Sequence, residues 1–380
     1  MTGKNVQTDS DNVRPENPPL GKTREKYLTP LLSFLSVFLL ILMAEMATRL
    51  YHWVRWDISM IHAQPTEMGG LSPITLDADL GWRATENYRF DGKKHRSDGT
   101  EYAVSIAQDA NGFRMFGDPT SGKPRVFVIG DSFTQAIEVS DDKTYYAILK
   151  QSLDVEVFAY GARGYGSLQQ WMILNKYYDL IKPDLLLWQY STNDLIDNSP
   201  ALETASTINN HGTLRPYWID GEIIHILPKK NMRNLRLFAL RHCRFCYVVT
   251  SRLDKLAAAR TKTVETETSI GKPAHSEFLK SVEATDEIMK MVIKRARSIP
   301  IFAFVAGTTD SYQGPEYEEA LEGICQRRGI LLLAQIENAL VTEEKNGAVV
   351  RAADQEHWNE LGHRIVGQAL AHSLGKKWLP

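Results

Sequence analysis

Cysteine is scarce in this chain, with three in 380 residues. A disulfide framework is therefore excluded. Cys243 and Cys246 form a single C-x-x-C, and Cys325 stands apart. A structural zinc site needs a second ligand pair at comparable spacing, and none follows. The cysteines are read as buried apolar residues, with a local Cys243–Cys246 bridge as the alternative. An excess of charge of one sign is also missing. The 44 basic and 46 acidic residues leave a net charge of −2. That balance argues against binding nucleic acid through a broad basic surface. There is no internal repeat or low-complexity tract. Long apolar runs are absent but for one, which excludes a polytopic membrane protein. The whole chain, 43% hydrophobic and 24% charged, has the composition of a globular protein with a sizeable core.

The one long run is Tyr27–Ala44, 18 residues without a charge. Its length and apolarity fit a single membrane-spanning helix, with an anchor expected over 27–48. Glu45 falls at the interface, and Tyr51 and Trp53 suit an aromatic belt. A cleaved signal peptide is the alternative, but its apolar region is usually shorter and a small-x-small cleavage site follows it. Residues 1–26, polar and without apolar period, read as a disordered cytoplasmic tail. Arg14, Lys22, Arg24 and Lys26 precede the run, and Arg49 and Arg55 follow it. The excess on the first side orients the N-terminus inward. The body of the chain is then outside the cytoplasm, on the periplasmic side of an inner membrane.

Residues 49–120 read as a connecting region of short strands and turns. From 121 onward the pattern changes. RVFVIG, VEVFAYG, DLLLWQY, IPIFAFVAG and GILLLAQ are near-continuous apolar runs, each expected as a strand buried on both faces. Helix-period segments lie between and after them at 142–153, 167–182, 278–297, 315–327 and 360–374. That alternation predicts an α/β fold, a parallel sheet with helices on both faces. Ligands in such sheets bind beyond the carboxyl ends of the strands. The stretch 195–275 interrupts the alternation and reads as an inserted cap or lid.

Four short motifs stand where chemistry is expected. The first strand ends in Gly130-Asp131-Ser132-Phe133-Thr134, which exposes a serine at a strand-to-helix turn. The second ends in Tyr160-Gly161-Ala162-Arg163-Gly164-Tyr165-Gly166, where glycines permit a sharp turn with unobstructed N–H groups. The third ends in Ser191-Thr192-Asn193-Asp194, whose Asn193 can offer an amide to a developing oxyanion. Asp354-Gln355-Glu356-His357 precedes the last helix, and an aspartate at that spacing can orient an imidazole and support its charge. Each alone has a plainer reading as turn or cap.

In this order and context, GDSFT, AYGARGYG, STND and DQEHWNELGH resemble the four blocks of the SGNH (GDSL-like) hydrolase family over about 124–374. Ser191 departs from the glycine common in the third block. The resemblance implies a flavodoxin-like three-layer α/β/α sandwich and a serine-esterase mechanism without metal or organic cofactor. By position, Ser132 is the nucleophile, His357 the general base and Asp354 its orienter. The Ser132 and Gly164 N–H groups and the Asn193 amide form the oxyanion hole, with Gly161 or Gly166 as alternatives to Gly164. Asp131 is expected to shape the turn, His363 to lie on a helix face, and Trp358 and Asn359 to pack and cap the last helix. Tyr217 and Trp218 are candidates for stacking on a sugar or for packing within the cap. The implied partners are an acylated glycan or other ester, and the membrane; the expected activity is removal of O-acyl, chiefly O-acetyl, groups from an envelope polysaccharide. O-acyl transfer by the same site, a lipid esterase or thioesterase, and a non-catalytic envelope scaffold are the alternatives.

Overall fold

The computed structural model describes residues 20–56, 72–191, 193–206, 213–226, 243–246, 249, 272–296, 299–307 and 315–379. Helix α1 spans Leu20–Trp56. Its apolar part, Leu28–Tyr51, is 24 residues long with a mean hydropathy of 2.1, and none of it is buried within the protein. At 1.5 Å per residue it measures about 36 Å, enough to cross a hydrocarbon core of roughly 30 Å. The helix begins inside the stretch expected to be a tail, and residues 1–19 lie outside the described residues.

Two antiparallel hairpins follow, β1 (Ile74–Asp77) with β2 (Gly81–Ala84) and β3 (Arg89–His95) with β4 (Glu101–Ala107). Then come β5 (Met115–Phe116), β6 (Arg125–Gly130), the short α2 (Ser132–Gln135), α3 (Tyr145–Ser152) and β7 (Glu156–Gly161). After α4 (Ser167–Ile181) and β8 (Leu185–Ser191) come the short helices α5 (Asp194–Asp197) and α6 (Pro200–Ala205). The hairpin β9 (Arg215–Ile219) and β10 (Glu222–Ile226) precedes α7 (Lys272–Ala296). The chain ends through β11 (Ile301–Ala306), α8 (Pro315–Arg328), β12 (Leu331–Leu332), α9 (Gln335–Lys345) and α10 (Glu360–Lys377).

The central sheet runs β12-β11-β8-β6-β7-β5. Its first five strands pair in parallel, and β5 adds an antiparallel edge. Side chains alternate across it. Phe127, Ile129, Leu186 and Trp188 pack with α4, α7 and α8. Val126, Val128, Leu185 and Leu187 pack with α3, α9 and α10. Burial on both faces is why these strands are apolar throughout, and it makes the fold a three-layer α/β/α sandwich. Numbered within the parallel set, the order is 2-1-3-4-5, the flavodoxin-like winding. Strand order reverses between β6 and β8, so a crevice opens there beyond their carboxyl ends. Ser132 and Asn193 follow those two strands.

Two local features depart from expectation. Cys243 and Cys246 are joined by a disulfide, in place of the two buried apolar thiols expected. Three residues of separation within one helical turn hold their Cα atoms 5.2 Å apart, inside the range a bridge spans. Cys325 is a buried thiol, as expected. The stretch 195–275 contributes α5, α6 and β9–β10, whose Asp197, Glu203, Arg215 and Tyr217 are all buried. Its remaining residues lie largely outside the described ones.

Candidate active site

Gly130 ends β6 and the chain turns at once into α2. Asp131 caps that helix, its carboxylate accepting the Phe133 N–H at 2.9 Å. Its own N–H donates to Gln189 Oε1 on β8 at 3.0 Å. Asp131 is therefore a buried structural element of the turn. Burial raises its carboxyl to about 7, despite the opposing Phe133 N–H and the nearby His357. Ser132, the first helical residue, is partly exposed. Among the described residues its N–H has no acceptor, as befits the first turn of a helix.

Opposite it, the loop after β7 is a tight turn in which the Tyr165 N–H donates to the Ala162 carbonyl at 3.1 Å. Gly164 sits in it at φ +70°, a conformation that favours glycine. Gly161 is required for a different reason. A Cβ there would stand 2.5 Å from the Gln135 N and collide with the Asp131 carbonyl, so the two loops could not approach. The Gly166 N–H is engaged by Gln169 Oε1 at 3.2 Å. Among the described residues the Gly164 N–H has no acceptor, which favours it over Gly166 as a donor to a ligand. Asn193, at the start of α5, donates to Asp197 Oδ2 at 2.7 Å. That bond uses one of its two amide hydrogens and leaves the other.

The last loop brings Asp354 and His357 together. His357 Nδ1 lies 2.6 Å from Asp354 Oδ2. Asp354 Oδ1 accepts the backbone N–H groups of Glu356 and His357, each at 3.0 Å. Partial burial of the carboxyl works against ionisation, but the His357 contact and these N–H groups hold Asp354 at about 2. Burial likewise disfavours the imidazolium, yet Asp354 outweighs it and raises His357 to about 9. The imidazole lies on the Phe133 ring at 5.0 Å between centroids, beside the residue that follows Ser132. Its Nε2 is buried and has no hydrogen-bond partner among the described residues. No hydrogen bond joins Ser132 Oγ to it; such contacts commonly close only around substrate. The loop itself is braced by the β3–β4 hairpin: the Ala353 N–H donates to the His95 carbonyl at 2.8 Å and the Ser97 N–H to the Arg351 carbonyl at 3.0 Å.

The other residues take their plainer roles. His363 is buried, stacked on Tyr145 and accepting the Tyr145 N–H at Nδ1; burial lowers it to about 3. Asn359 caps α10. Tyr217 is fully buried and donates to Glu203 at 2.6 Å, so it packs within the fold and is not a sugar platform. Sequence reasoning missed Arg215, Asp197 and Trp82, which surround the Gly164 turn. A lone Arg in an apolar strand was the available signal. Among the described residues no group of three His, Cys, Asp or Glu side chains is placed to hold a metal.

No family model matches the chain, and no curated protein matches it. Solved structures do. A lipase/acylhydrolase from Enterococcus faecalis is similar at 12% identity and a TM-score of 0.38, over 67% of this chain and 96% of that one. A member of the lipolytic G-D-S-L family from Veillonella parvula gives 12% and 0.37, over 67% and 98%. An acetylxylan esterase from Geobacillus stearothermophilus gives 15% and 0.35, over 68% and 97%.

Proposed function

We propose that this chain is a membrane-anchored serine esterase of the SGNH type. Its body faces the outside of the cytoplasm and removes O-acyl, chiefly O-acetyl, groups from an envelope polysaccharide or glycan. One observation carries the reading. An Asp354-bound imidazole, its Nε2 without a hydrogen-bond partner among the described residues, lies on the ring of Phe133, the residue after a serine at the switch point of a parallel sheet, and the N–H groups of Ser132 and Gly164 have no acceptor among those residues. Ser132 Oγ attacks the ester carbonyl while its proton passes to His357 Nε2. The carbonyl π electrons move to oxygen, where the Ser132 and Gly164 N–H groups and the Asn193 amide receive the charge. Collapse expels the sugar alkoxide, which takes the proton from His357. Water then repeats the sequence on the acyl-enzyme and releases acetate and free Ser132. Asp354 keeps the Nδ1–H tautomer throughout. Each aimed donor is worth roughly 3–4 kcal/mol of barrier.

The anchor supports the substrate class, since tethering concentrates the site at one surface. The cations ahead of the apolar run, Arg14, Lys22, Arg24 and Lys26 among them, support an inward N-terminus. The Cys243–Cys246 bridge supports the same side, because disulfides persist in oxidising compartments.

The test is to incubate the full chain in detergent micelles with a fluorophosphonate, and separately with an acetylated oligosaccharide. Labelling at Ser132 and free acetate are expected. Folded protein that takes up no label overturns the esterase reading. Acetate moved to a second sugar instead of water assigns acyl transfer. The pH profile is a further prediction. His357 acts as a base only when neutral, and its pKa is raised to about 9. The rate kcat/KM on p-nitrophenyl acetate should therefore rise about tenfold per pH unit through neutrality and level off near pH 9. A flat profile between pH 7 and 9 would remove His357 as the titrating base.

A further inference from the structure

The two oxyanion donors that do not belong to the nucleophile lie on different strands' loops, and one buried side chain links them. Arg215, on β9, is fully buried. Its Nη1 pairs with Asp197 Oδ1 at 2.7 Å and donates to the Asp197 carbonyl at 3.0 Å. Asp197 Oδ2 in turn accepts from the Asn193 amide at 2.7 Å. The other end of the guanidinium, Nη2, donates to the Gly164 carbonyl. Arg215 thus touches the Gly164 turn directly and Asn193 through one carboxylate.

Trp82 completes the arrangement. The Arg215 guanidinium lies over its ring, 4.8 Å from the centroid. Trp82 Nε1 donates to the Arg163 carbonyl at 2.8 Å. That carbonyl shares a planar trans peptide with the Gly164 N–H, so fixing one end points the other the opposite way. Trp82 therefore holds the peptide before Gly164, and Arg215 holds the peptide after it. Burying an arginine costs several kcal/mol unless it is well paired, and here Glu203 adds a second carboxylate at 3.1 Å. An apolar side chain would fill the same space without that cost, but it could not span the two loops.

We propose that Arg215, seated on Trp82, is a positioning residue that fixes the Gly164 N–H and the Asn193 amide in one geometry for the developing oxyanion. This rests on the esterase reading and adds a determinant outside its four motifs. Arg215 touches no reacting atom. It acts only through where the two donors point.

The test separates rate from amount. A fluorophosphonate forms a tetrahedral adduct whose oxygen sits among the same donors. Its labelling end point counts folded sites, and its rate constant reads their geometry. With the full chain in micelles, Arg215→Lys is expected to slow the labelling rate constant and kcat about 30–100-fold, as for a misplaced catalytic donor, with KM within about threefold. Tyr217→Phe, which removes only a hydrogen bond to Glu203, should lower thermal stability and leave the rate constant unchanged. Arg215→Lys labelled at the wild-type rate constant, with only its end point reduced, overturns the proposal and leaves Arg215 a stabilising ion pair. Should Arg215→Lys fail to fold, Trp82→Phe is read by the same criterion, since it keeps a ring under the guanidinium and removes the N–H. A wild-type chain that takes no label is a failure of the esterase reading itself, and this inference falls with it.

Discussion

His357→Ala is expected to lower kcat on p-nitrophenyl acetate by roughly 10⁴–10⁶-fold. The size follows from what the ring does here. A serine hydroxyl at neutral pH is a weak nucleophile, and His357 Nε2, with no hydrogen-bond partner among the described residues, is the base proposed to activate it. The negative charge of Asp354 then has no proton acceptor to support. The fold should survive, because the Asp354 carboxylate keeps its two backbone N–H donors and is already half-exposed. The lost contact with Phe133 is worth on the order of 1 kcal/mol. Initial rates and a thermal melt check this together. A variant that turns over at a tenth of the wild-type rate or more would take His357 out of the mechanism.

Ser132→Ala should abolish fluorophosphonate labelling and esterase turnover while leaving stability within about 1 kcal/mol. The cap that builds the turn is Asp131, whose bonds to the Phe133 N–H and Gln189 do not involve the serine hydroxyl. Ser132 is only partly buried, so alanine leaves no sizeable cavity. Mass spectrometry of the labelled protein and a melting curve suffice. Residual labelling at another residue would move the nucleophile, and a collapse in stability would make Ser132 structural.

The main sheet was legible because burial on both faces leaves an unbroken apolar record. RVFVIG became Arg125–Gly130 and the run DLLLWQY became Leu185–Ser191 with only small end shifts. The last run is shorter than its sequence suggests: GILLLAQ yields only Leu331–Leu332 as strand, since a sheet edge has one partner to pair with. Helix α9 was missed because Asn338, Thr342 and the three glutamates Glu337, Glu343 and Glu344 dilute its apolar period. The motif residues of the candidate site could be singled out in the sequence because each proposed chemistry restricts the residue type. Arg215 was not. Its role depends on Asp197, Gly164 and Trp82 meeting in space, and no spacing along the chain records that. The expected split at residue 120 also missed physical continuity: β5 pairs with β7, and Trp82 reaches across to the Arg163 carbonyl.

That continuity bears on how a soluble fragment should be cut. Trimming the chain to the motif-bearing portion would delete the tryptophan under the guanidinium, the ribbon that steadies the histidine loop and one margin of the sheet. A fragment that starts just after the apolar N-terminal helix, before Ser72, keeps all three.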